Sequence, residues 1–294
     1  MIYGYGLLIL VLIFIGLAIL ISSVAYRNPQ KRHHRTPADY DIPFTEIYIP
    51  TYNRRHLYGW WIPGENVASE SPPTLVLVHG WGRNVARMLG FIRELHPQGY
   101  NLLAFDARSH GSSDRDGTAT MVKFAEDICS AIDYLVLLPN IDPEQIGVIG
   151  LSIGGSSAIY AASLDTRIKC VVTMGAFAHP GDIIRLEFEK RHIPYFPLVW
   201  LIILYIQLRI GKSFNKIAPV NVIPDIPARI FIIHGEDDSV VPLEHGQRLH
   251  VSGNPDRVRF WQIPGRGHSD CPEHPEFWPK VSAFLKESFE IAEE

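Results

Sequence analysis

Short, largely apolar runs alternate with helix-length segments from residue 46 to the end of the chain. The clearest run is Thr74–Val78 (Thr-Leu-Val-Leu-Val), which is rich in β-branched and aliphatic side chains. Continuous apolar strands are typical of a sheet buried on both faces, and strands that alternate with helices form parallel βαβ units. The other predicted strands are 46–50, 57–61, 101–105, 146–149, 169–174, 229–233 and 258–262. The pattern therefore predicts an α/β fold: a mainly parallel, twisted sheet with helices on both faces.

The composition excludes several other classes of protein. The chain has 294 residues, of which 47% are hydrophobic and 20% charged, so it can bury a core and is not disordered. Its net charge of -4 lacks the basic excess that binding to a nucleic-acid backbone needs. The three cysteines, Cys129, Cys170 and Cys271, form no Cys-x-x-Cys pair and predict no disulfide framework. No Gly-x-Gly-x-x-Gly or Walker motif occurs, so we expect no nucleotide cofactor and no nucleic-acid partner.

No charged side chain occurs in the first 26 residues, and Leu7–Ile21 is apolar without interruption. A membrane-spanning helix needs roughly 20 predominantly apolar residues, so residues 1–26 are predicted to form a single transmembrane anchor. A cleaved signal peptide is the alternative, because Ser23-Val24-Ala25 resembles a small-residue cleavage site. The basic segment that normally begins a signal peptide is missing, which favours the anchor.

Residues 27–45 are polar, basic and interrupted by prolines, which predicts a short tether to a domain of residues 46–294. Four basic residues follow the apolar segment closely: Arg27, Lys31, Arg32 and Arg35. Basic flanks of membrane helices prefer the cytoplasmic side, and they also contact anionic lipid headgroups. We therefore expect the domain at a membrane surface, on the cytoplasmic side.

An insertion at about 176–222 interrupts the alternation of strands and helices. Within it, Tyr195–Ile206 is almost wholly apolar but too short for a confident membrane span. A helix here should begin near Pro197, because proline is tolerated in a first helical turn. The segment is interpreted as an apolar cap over a substrate pocket or as a helix lying in a membrane interface. An ordinary buried helix is the alternative.

The string Gly150-Leu151-Ser152-Ile153-Gly154 lies between a predicted strand and a predicted helix. In that context it predicts a nucleophile elbow, in which glycines two residues before and after the serine make room for a sharp turn. The serine hydroxyl then lies at a helix N-terminus, where developing negative charge is stabilised. Ser152 is therefore the candidate nucleophile, and a simple helix-capping serine is the alternative.

A serine nucleophile needs a base, and the base needs an acid that orients it. His268 lies in a Gly-rich loop between the last predicted strand and the last helix, which makes it the candidate base. The segment His234–Pro242 follows another predicted strand and contains Asp237 and Asp238. We choose Asp238 as the acid, with Asp237 as the second choice and Asp106 as a distant third.

The oxyanion of an acyl-transfer reaction needs backbone donors. The residue after the nucleophile, Ile153, supplies one N–H, and the loop His79-Gly80-Trp81-Gly82 after Thr74–Val78 is predicted to supply the other from Trp81. The spacing of His, Asp and Cys in 268–274 could suggest zinc, but no second ligand pair accompanies it, so no metal is predicted.

Taken together, these motifs resemble the α/β-hydrolase fold of serine hydrolases. Ser152, Asp238 and His268 stand in that family's order, and the resemblance covers roughly residues 46–294. The chain is most similar to membrane-anchored bacterial hydrolases of the monoacylglycerol-lipase-like and serine-aminopeptidase-like groups. The resemblance implies that Asp106 and Arg108 shape a turn below the site and that the insertion is the cap.

The leading functional prediction is a serine hydrolase that cleaves carboxylic esters of lipid-like or acyl-chain substrates through an acyl-enzyme. A peptidase or amidase with the same triad is the alternative, since the triad does not choose between oxygen and nitrogen leaving groups. It would need an anionic pocket for a substrate amine, for which Asp182, Glu187 and Glu189 are candidates. A catalytically silent membrane scaffold is the third hypothesis.

Overall fold

The computed structural model describes residues 2–25, 28, 30–64 and 71–290. Within these residues, the strands are β1 (Thr45–Thr51), β2 (Arg55–Ile62), β3 (Thr74–Val78), β4 (Asn101–Phe105), β5 (Ile146–Leu151), β6 (Ile168–Met174), β7 (Arg229–Gly235) and β8 (Val258–Ile263). The α-helices are α1 (Ile2–Ala25), α2 (Leu89–Leu95), α3 (Met121–Leu135), α4 (Ile153–Ala162), α5 (Pro180–Glu189), α6 (Trp200–Ile210), α7 (Phe214–Ile217), α8 (Pro219–Val222), α9 (Glu244–Ser252) and α10 (Phe277–Ser288).

The described strands form one eight-stranded sheet in the order β1-β2-β4-β3-β5-β6-β7-β8. β1 and β2 form an antiparallel hairpin, and β2 is also antiparallel to β4. From β4 to β8 all neighbouring strands are parallel. The predicted α/β architecture with a mainly parallel sheet is therefore confirmed.

The central strands are buried on both faces, as their apolar sequences predict. In β3, Val76 and Val78 belong to the core cluster that includes α3 and α4. Leu75 and Leu77 belong to a second cluster, which includes α2 and α10 on the opposite face. This division follows from the two-residue period of a strand, which sends neighbouring side chains to opposite faces. Helices cover the two faces of the sheet, and loops follow the ends of the parallel strands.

The insertion between β6 and β7 contains α5, α6, α7 and α8. A π-helical turn, Tyr195–Val199, precedes α6, so the regular helix begins at Trp200, three residues later than the predicted start near Pro197. Ile202 is fully buried, whereas Leu204 and Leu208 on the same helix are exposed. The segment is thus neither wholly buried nor wholly open to solvent.

Helix α1 packs against α6 and the π-helical turn before it. Ala18 and Ser22, one helical turn apart, are buried, while Leu12, Leu20 and Val24 are exposed. Among the helices formed by the described residues, none reaches the length and apolarity that crossing a membrane requires. The structure therefore does not support the transmembrane helix predicted for residues 1–26.

The segment predicted as a tether makes specific contacts with the domain. Asn28 Nδ2 donates to the Ser109 carbonyl (2.9 Å), and the Lys31 carbonyl accepts from Asn84 Nδ2 (2.9 Å). Farther along, the His33 ring stacks on Tyr58 with centroids 5.2 Å apart. These contacts bring the N-terminal segment alongside the loops that follow β3 and β4.

Candidate active site

Ser152 lies in the sharp turn between β5 and α4. Its φ of 54° and ψ of -121° place a non-glycine residue in a strained backbone region, at a cost of about 1–3 kcal/mol. The Ser152 N–H donates to the Met174 carbonyl at the end of β6 (2.8 Å). The structure thus has the strand, tight turn and helix that the sequence motif predicts.

The glycines around Ser152 are required by close backbone approaches. A Cβ at Gly150 would lie 2.4 Å from the Gly154 carbonyl oxygen, and one at Gly154 would lie 2.6 Å from the His79 carbonyl oxygen. Real Cβ atoms essentially never come this close to backbone atoms. Side chains at these two positions would force the turn open, so the motif's spacing follows from the geometry of the turn.

His268 and Asp238 are hydrogen-bonded, with 2.6 Å between His268 Nδ1 and Asp238 Oδ2. The other carboxylate oxygen, Oδ1, accepts from the N–H groups of Val240 (2.9 Å) and Val241 (2.8 Å). Although burial acts to raise it, these hydrogen bonds and the nearby His268 hold the pKa of Asp238 below its usual value. The carboxylate is therefore fixed in place and kept ionised beside the imidazole.

The two other acids considered from the sequence do not contact His268 in this way. Asp237 is exposed to solvent, and its backbone N–H donates to the Arg266 carbonyl. Asp106 is buried and accepts from the N–H groups of Val85 (2.6 Å) and Ser112 (2.7 Å), which ties together the loops after β3 and β4. Of the three aspartates, the structure brings Asp238 to the imidazole.

Gly175 supports the His268 ring from below, a role that sequence reasoning missed. It follows Met174 at the end of β6 and has a φ of 64°. A Cβ at Gly175 would lie 2.9 Å from Nδ1 and Cε1 of His268 and 3.3 Å from Asp238 Oδ2. Because the Met174 carbonyl accepts from the Ser152 N–H, this glycine places the imidazole at the strand end that adjoins the nucleophile. The sequence feature that could have indicated this role is a glycine directly after a predicted strand.

The loop after β3, residues 79–84, lies against Ser152. A Cβ at Gly80 would be 3.4 Å from Ser152 Cβ, which is ordinary van der Waals contact. The backbone amide of Trp81 is the next in this loop, and the amide of Ile153 follows Ser152 in the elbow. The two predicted donors therefore belong to segments that meet at the serine.

Two buried histidines brace this loop, and the sequence analysis did not single them out. His79 Nε2 accepts from the Ala107 N–H (3.1 Å), so its Nδ1 donates to the Gly80 carbonyl (2.7 Å). His110 Nε2 accepts from the Gly82 N–H (3.2 Å), so its Nδ1 donates to the Arg108 carbonyl (3.1 Å). Burial is the main cause that lowers the pKa of His79 to about 3 and that of His110 to about 4. Both rings stay neutral near pH 7 and hold the loop through fixed tautomers.

Arg108 anchors the loop after β4 from within the protein. Its side chain is fully buried, and its Nε donates to Asp127 Oδ1 (2.6 Å), with Asp116 and Glu126 also in ion-pair distance. A buried arginine of this kind is stable only when its donors are matched by acceptors. The network fixes the turn that carries His110, as the family resemblance implies for Asp106 and Arg108.

His234 is a further histidine next to the candidate acid. Its Nε2 donates to the Val241 carbonyl (2.8 Å) and lies 3.5 Å from Asp238 Oδ2. Burial, as the largest cause, lowers the pKa of His234. A neutral His234 therefore lies beside the Asp238 carboxylate and contacts the segment whose N–H groups donate to Asp238.

The sequence 268–274, considered for zinc, has other roles. Asp270 Oδ1 accepts from the Gly267 N–H (2.7 Å), and Cys271 is buried. Across the described residues, no three His, Cys, Asp or Glu side chains form a cluster that could hold a metal ion.

An imidazole whose Nδ1 donates to a buried carboxylate presents Nε2 as a proton acceptor. Such a group beside a serine in a strained turn can remove the hydroxyl proton as the oxygen attacks a carbonyl. A serine, an imidazole and a carboxylate are the groups that acyl transfer by a serine nucleophile uses.

Known proteins share sequence or fold with this chain. Over 265 residues the chain is 25% identical to YfhR of Salmonella typhimurium, an uncharacterized protein, covering 90% of this chain and 86% of that one. An esterase structure from Pyrococcus furiosus superposes with a TM-score of 0.71 at 25% identity, covering 89% of this chain and 98% of that one. An acylaminoacyl peptidase from Pyrococcus horikoshii shares the fold, with a TM-score of 0.67 at 20% identity over 86% of this chain and 43% of that one.

The model of the alpha/beta hydrolase family matches residues 75–278, which is more than half of the chain and includes β3, the elbow and His268. The chain therefore belongs to the alpha/beta hydrolase family.

Proposed function

We propose that the chain is a serine hydrolase that cleaves carboxylic esters through a covalent acyl-enzyme. The observation that carries the proposal is the 2.6 Å hydrogen bond between His268 Nδ1 and Asp238 Oδ2. The pair lies over Gly175, which directly follows the residue whose carbonyl accepts from the Ser152 N–H. An imidazole held by a buried carboxylate in this way is the arrangement that activates a serine hydroxyl.

In the proposed mechanism, Ser152 Oγ attacks the ester carbonyl while His268 Nε2 accepts the hydroxyl proton. Asp238 stabilises the imidazolium that forms, and the N–H groups of Trp81 and Ile153 stabilise the oxyanion. His268 then gives the proton to the leaving alcohol, which leaves the acyl group on Ser152. A water molecule, deprotonated by His268, releases the acid and restores the serine.

We propose lipid-like or acyl-chain esters as the substrates. The support is the number of large apolar side chains exposed on the cap and on α1: Ile9, Leu12, Ile13, Leu20, Val24, Phe196, Trp200 and Leu208. An exposed apolar area of this kind marks an interaction surface, and a lipid surface matches it in chemistry. We propose that the protein works at such a surface, with the domain on the cytoplasmic side, where Lys31, Arg32 and Arg35 favour anionic lipid. This placement agrees with the resemblance to monoacylglycerol-lipase-like hydrolases.

The peptidase alternative has less support. The three carboxylates considered as an anionic pocket are engaged by arginines: Asp182 by Arg248 (2.7 Å), Glu189 by Arg185 (2.6 Å) and Glu187 by Arg191. Carboxylates paired in this way have less charge left for a substrate ammonium, so the geometry favours the neutral ester.

The test is hydrolysis of p-nitrophenyl esters from acetate to palmitate by the detergent-extracted full chain. We expect serine-dependent activity that rises with acyl length, and its loss in Ser152→Ala. The matched control is Ser163→Ala, an exposed serine at the other end of α4. Activity that persisted in Ser152→Ala would overturn the mechanism, and activity confined to acetate would overturn the substrate class. Faster cleavage of aminoacyl amides than of esters would favour the peptidase.

A further inference from the structure

A cavity of about 280 Å³ lies where the C-terminal ends of α1 and α6 meet the loop after β4. Its lining includes the arginines Arg115 and Arg209 and the polar side chains of Ser23, Asn28 and Thr118. None of these residues belongs to the candidate active site. The cavity therefore needs an explanation of its own.

The charge of this cavity is positive. Both arginines are exposed, and among the described lining residues there is no carboxylate. Arg115 Nε donates to Gln30 Oε1 (2.6 Å), and the Arg209 guanidinium lies over the Tyr205 ring, 5.9 Å from its centroid. These contacts orient the two guanidinium groups without neutralising them. Guanidinium donors beside hydroxyl and amide groups are suited to an anion such as a phosphate ester.

Exposed apolar side chains lie beside the cavity on α1 and α6. Leu208, next to Arg209, is 72% exposed, and Val24, next to Ser23, is 65% exposed. Leu20 on α1 and Leu204 on α6, one turn farther from the cavity, are also exposed. The two helices pack together, so these side chains belong to one helical pair. A ligand that fills the cavity and also contacts these apolar side chains needs a charged headgroup and an apolar tail.

We propose that this cavity holds the anionic headgroup of a phospholipid, whose acyl chains lie against the exposed apolar side chains of α1 and α6. The inference rests on the proposed position at a lipid surface but not on the chemistry of Ser152. Charge complementarity selects an anionic lipid, because a zwitterionic headgroup carries a cation that two arginines repel.

The cavity is connected to the active-site region through Asn28. The Asn28 Nδ2 group donates to the Ser109 carbonyl, and its Oδ1 lies 3.9 Å from the Cβ position of Gly82 in the loop after β3. A lipid seated here would place the bilayer surface next to the loop that carries the Trp81 amide. The site would thus orient the domain so that its active-site loops face the lipid.

The experiment measures binding to the full chain in a neutral detergent by microscale thermophoresis. The probes are dihexanoyl-phosphatidylglycerol, dihexanoyl-phosphatidylcholine and inorganic phosphate. We expect phosphatidylglycerol to bind at least about tenfold more tightly than the other two, since phosphatidylcholine adds a choline cation that the arginines repel and inorganic phosphate lacks the acyl chains. Equal binding of the two lipids would overturn the proposal, and inorganic phosphate that bound as tightly as phosphatidylglycerol would show a phosphate site without a lipid.

The variants are Arg115→Gln and Arg209→Gln, with Arg259→Gln as the control. Arg259 is an exposed arginine on β8, at the opposite end of the sheet order from β1 and β2. Each cavity variant should weaken phosphatidylglycerol binding by about tenfold and reduce the preference for phosphatidylglycerol over phosphatidylcholine. Arg209→Lys, which keeps the charge, should retain most of the binding. Unchanged phosphatidylglycerol affinity in both Gln variants would refute the proposal.

Hydrolysis of p-nitrophenyl acetate separates this inference from the proposed catalysis. The cavity variants should keep wild-type activity toward this soluble ester, which also shows that they fold. If the full chain bound phosphatidylglycerol selectively but hydrolysed no ester, the catalytic proposal would be refuted and the lipid site would be supported.

Discussion

Replacing Gly175 by alanine should disable the site without unfolding the protein. The added Cβ would lie 2.9 Å from Nδ1 and Cε1 of His268, whereas carbon contacts are normally about 3.5–4.0 Å, so the ring must move by about 0.6 Å or more. It cannot swing away freely, because Nδ1 is held 2.6 Å from Asp238 Oδ2. A misplacement of about 1 Å at a reacting group can cost about 100-fold in rate, and we expect a loss of that order in kcat.

The substitution also has a backbone cost that must be separated from the effect on His268. Gly175 has a φ of 64°, where an alanine loses about 1–2 kcal/mol of stability. Gly211, after α6, has a φ of 67°, and a Cβ there would meet nothing within 4 Å. Gly211→Ala therefore carries the same backbone cost without the clash.

The assay is kcat for p-nitrophenyl acetate together with urea unfolding of both variants. Both should lose a similar free energy of unfolding, and only Gly175→Ala should lose activity. A displaced base should lower kcat by much more than about threefold. If the kcat of Gly175→Ala stayed within about threefold of that of Gly211→Ala, the placement of His268 over Gly175 would be refuted.

Three further predictions follow from the other contacts of the site. Asp238→Asn should lower kcat by about 10³- to 10⁴-fold, because His268 loses the acceptor that sets its tautomer, whereas Asp237→Asn should stay near wild type. Arg108→Met should lower the free energy of unfolding by about 3–5 kcal/mol, measured in urea, because Asp127 is left buried without its cation; an equal stability would contradict the network. His110→Gln keeps an acceptor for the Gly82 N–H but cannot titrate. Since His110 has a pKa of about 4 when folded and 6.5 when unfolded, wild-type stability relative to this variant should fall as the pH drops from 6.5 toward 4, and a difference independent of pH would refute the neutral tautomer.

The parts of the fold that could be predicted are those whose signal is local. β3 and β4 were predicted at their observed bounds, because each is a continuous apolar run with polar or turn residues on both sides. The elbow was predictable because its glycines and serine are neighbours in sequence. The start of α6 was placed too early, since a proline indicates a first turn but does not reveal the π-helical turn before Trp200.

The roles that were missed depend on contacts between distant residues. Gly175 matters because His268, 93 positions later, lies over it. A glycine after a predicted strand does not indicate which distant residue contacts it. His110 braces Gly82 across 28 positions. The apolar N-terminal segment predicted a membrane anchor because its composition is visible in sequence, whereas its packing against α6 is not.

Covalent labelling is the most direct test of whether Ser152 is an activated nucleophile. The folded full chain would be treated with a fluorophosphonate, digested and analysed by mass spectrometry. We expect one adduct, on the peptide that contains Ser152, which is absent in Ser152→Ala and forms more slowly in Asp238→Asn. No adduct on folded protein, or an adduct on another serine, would contradict it.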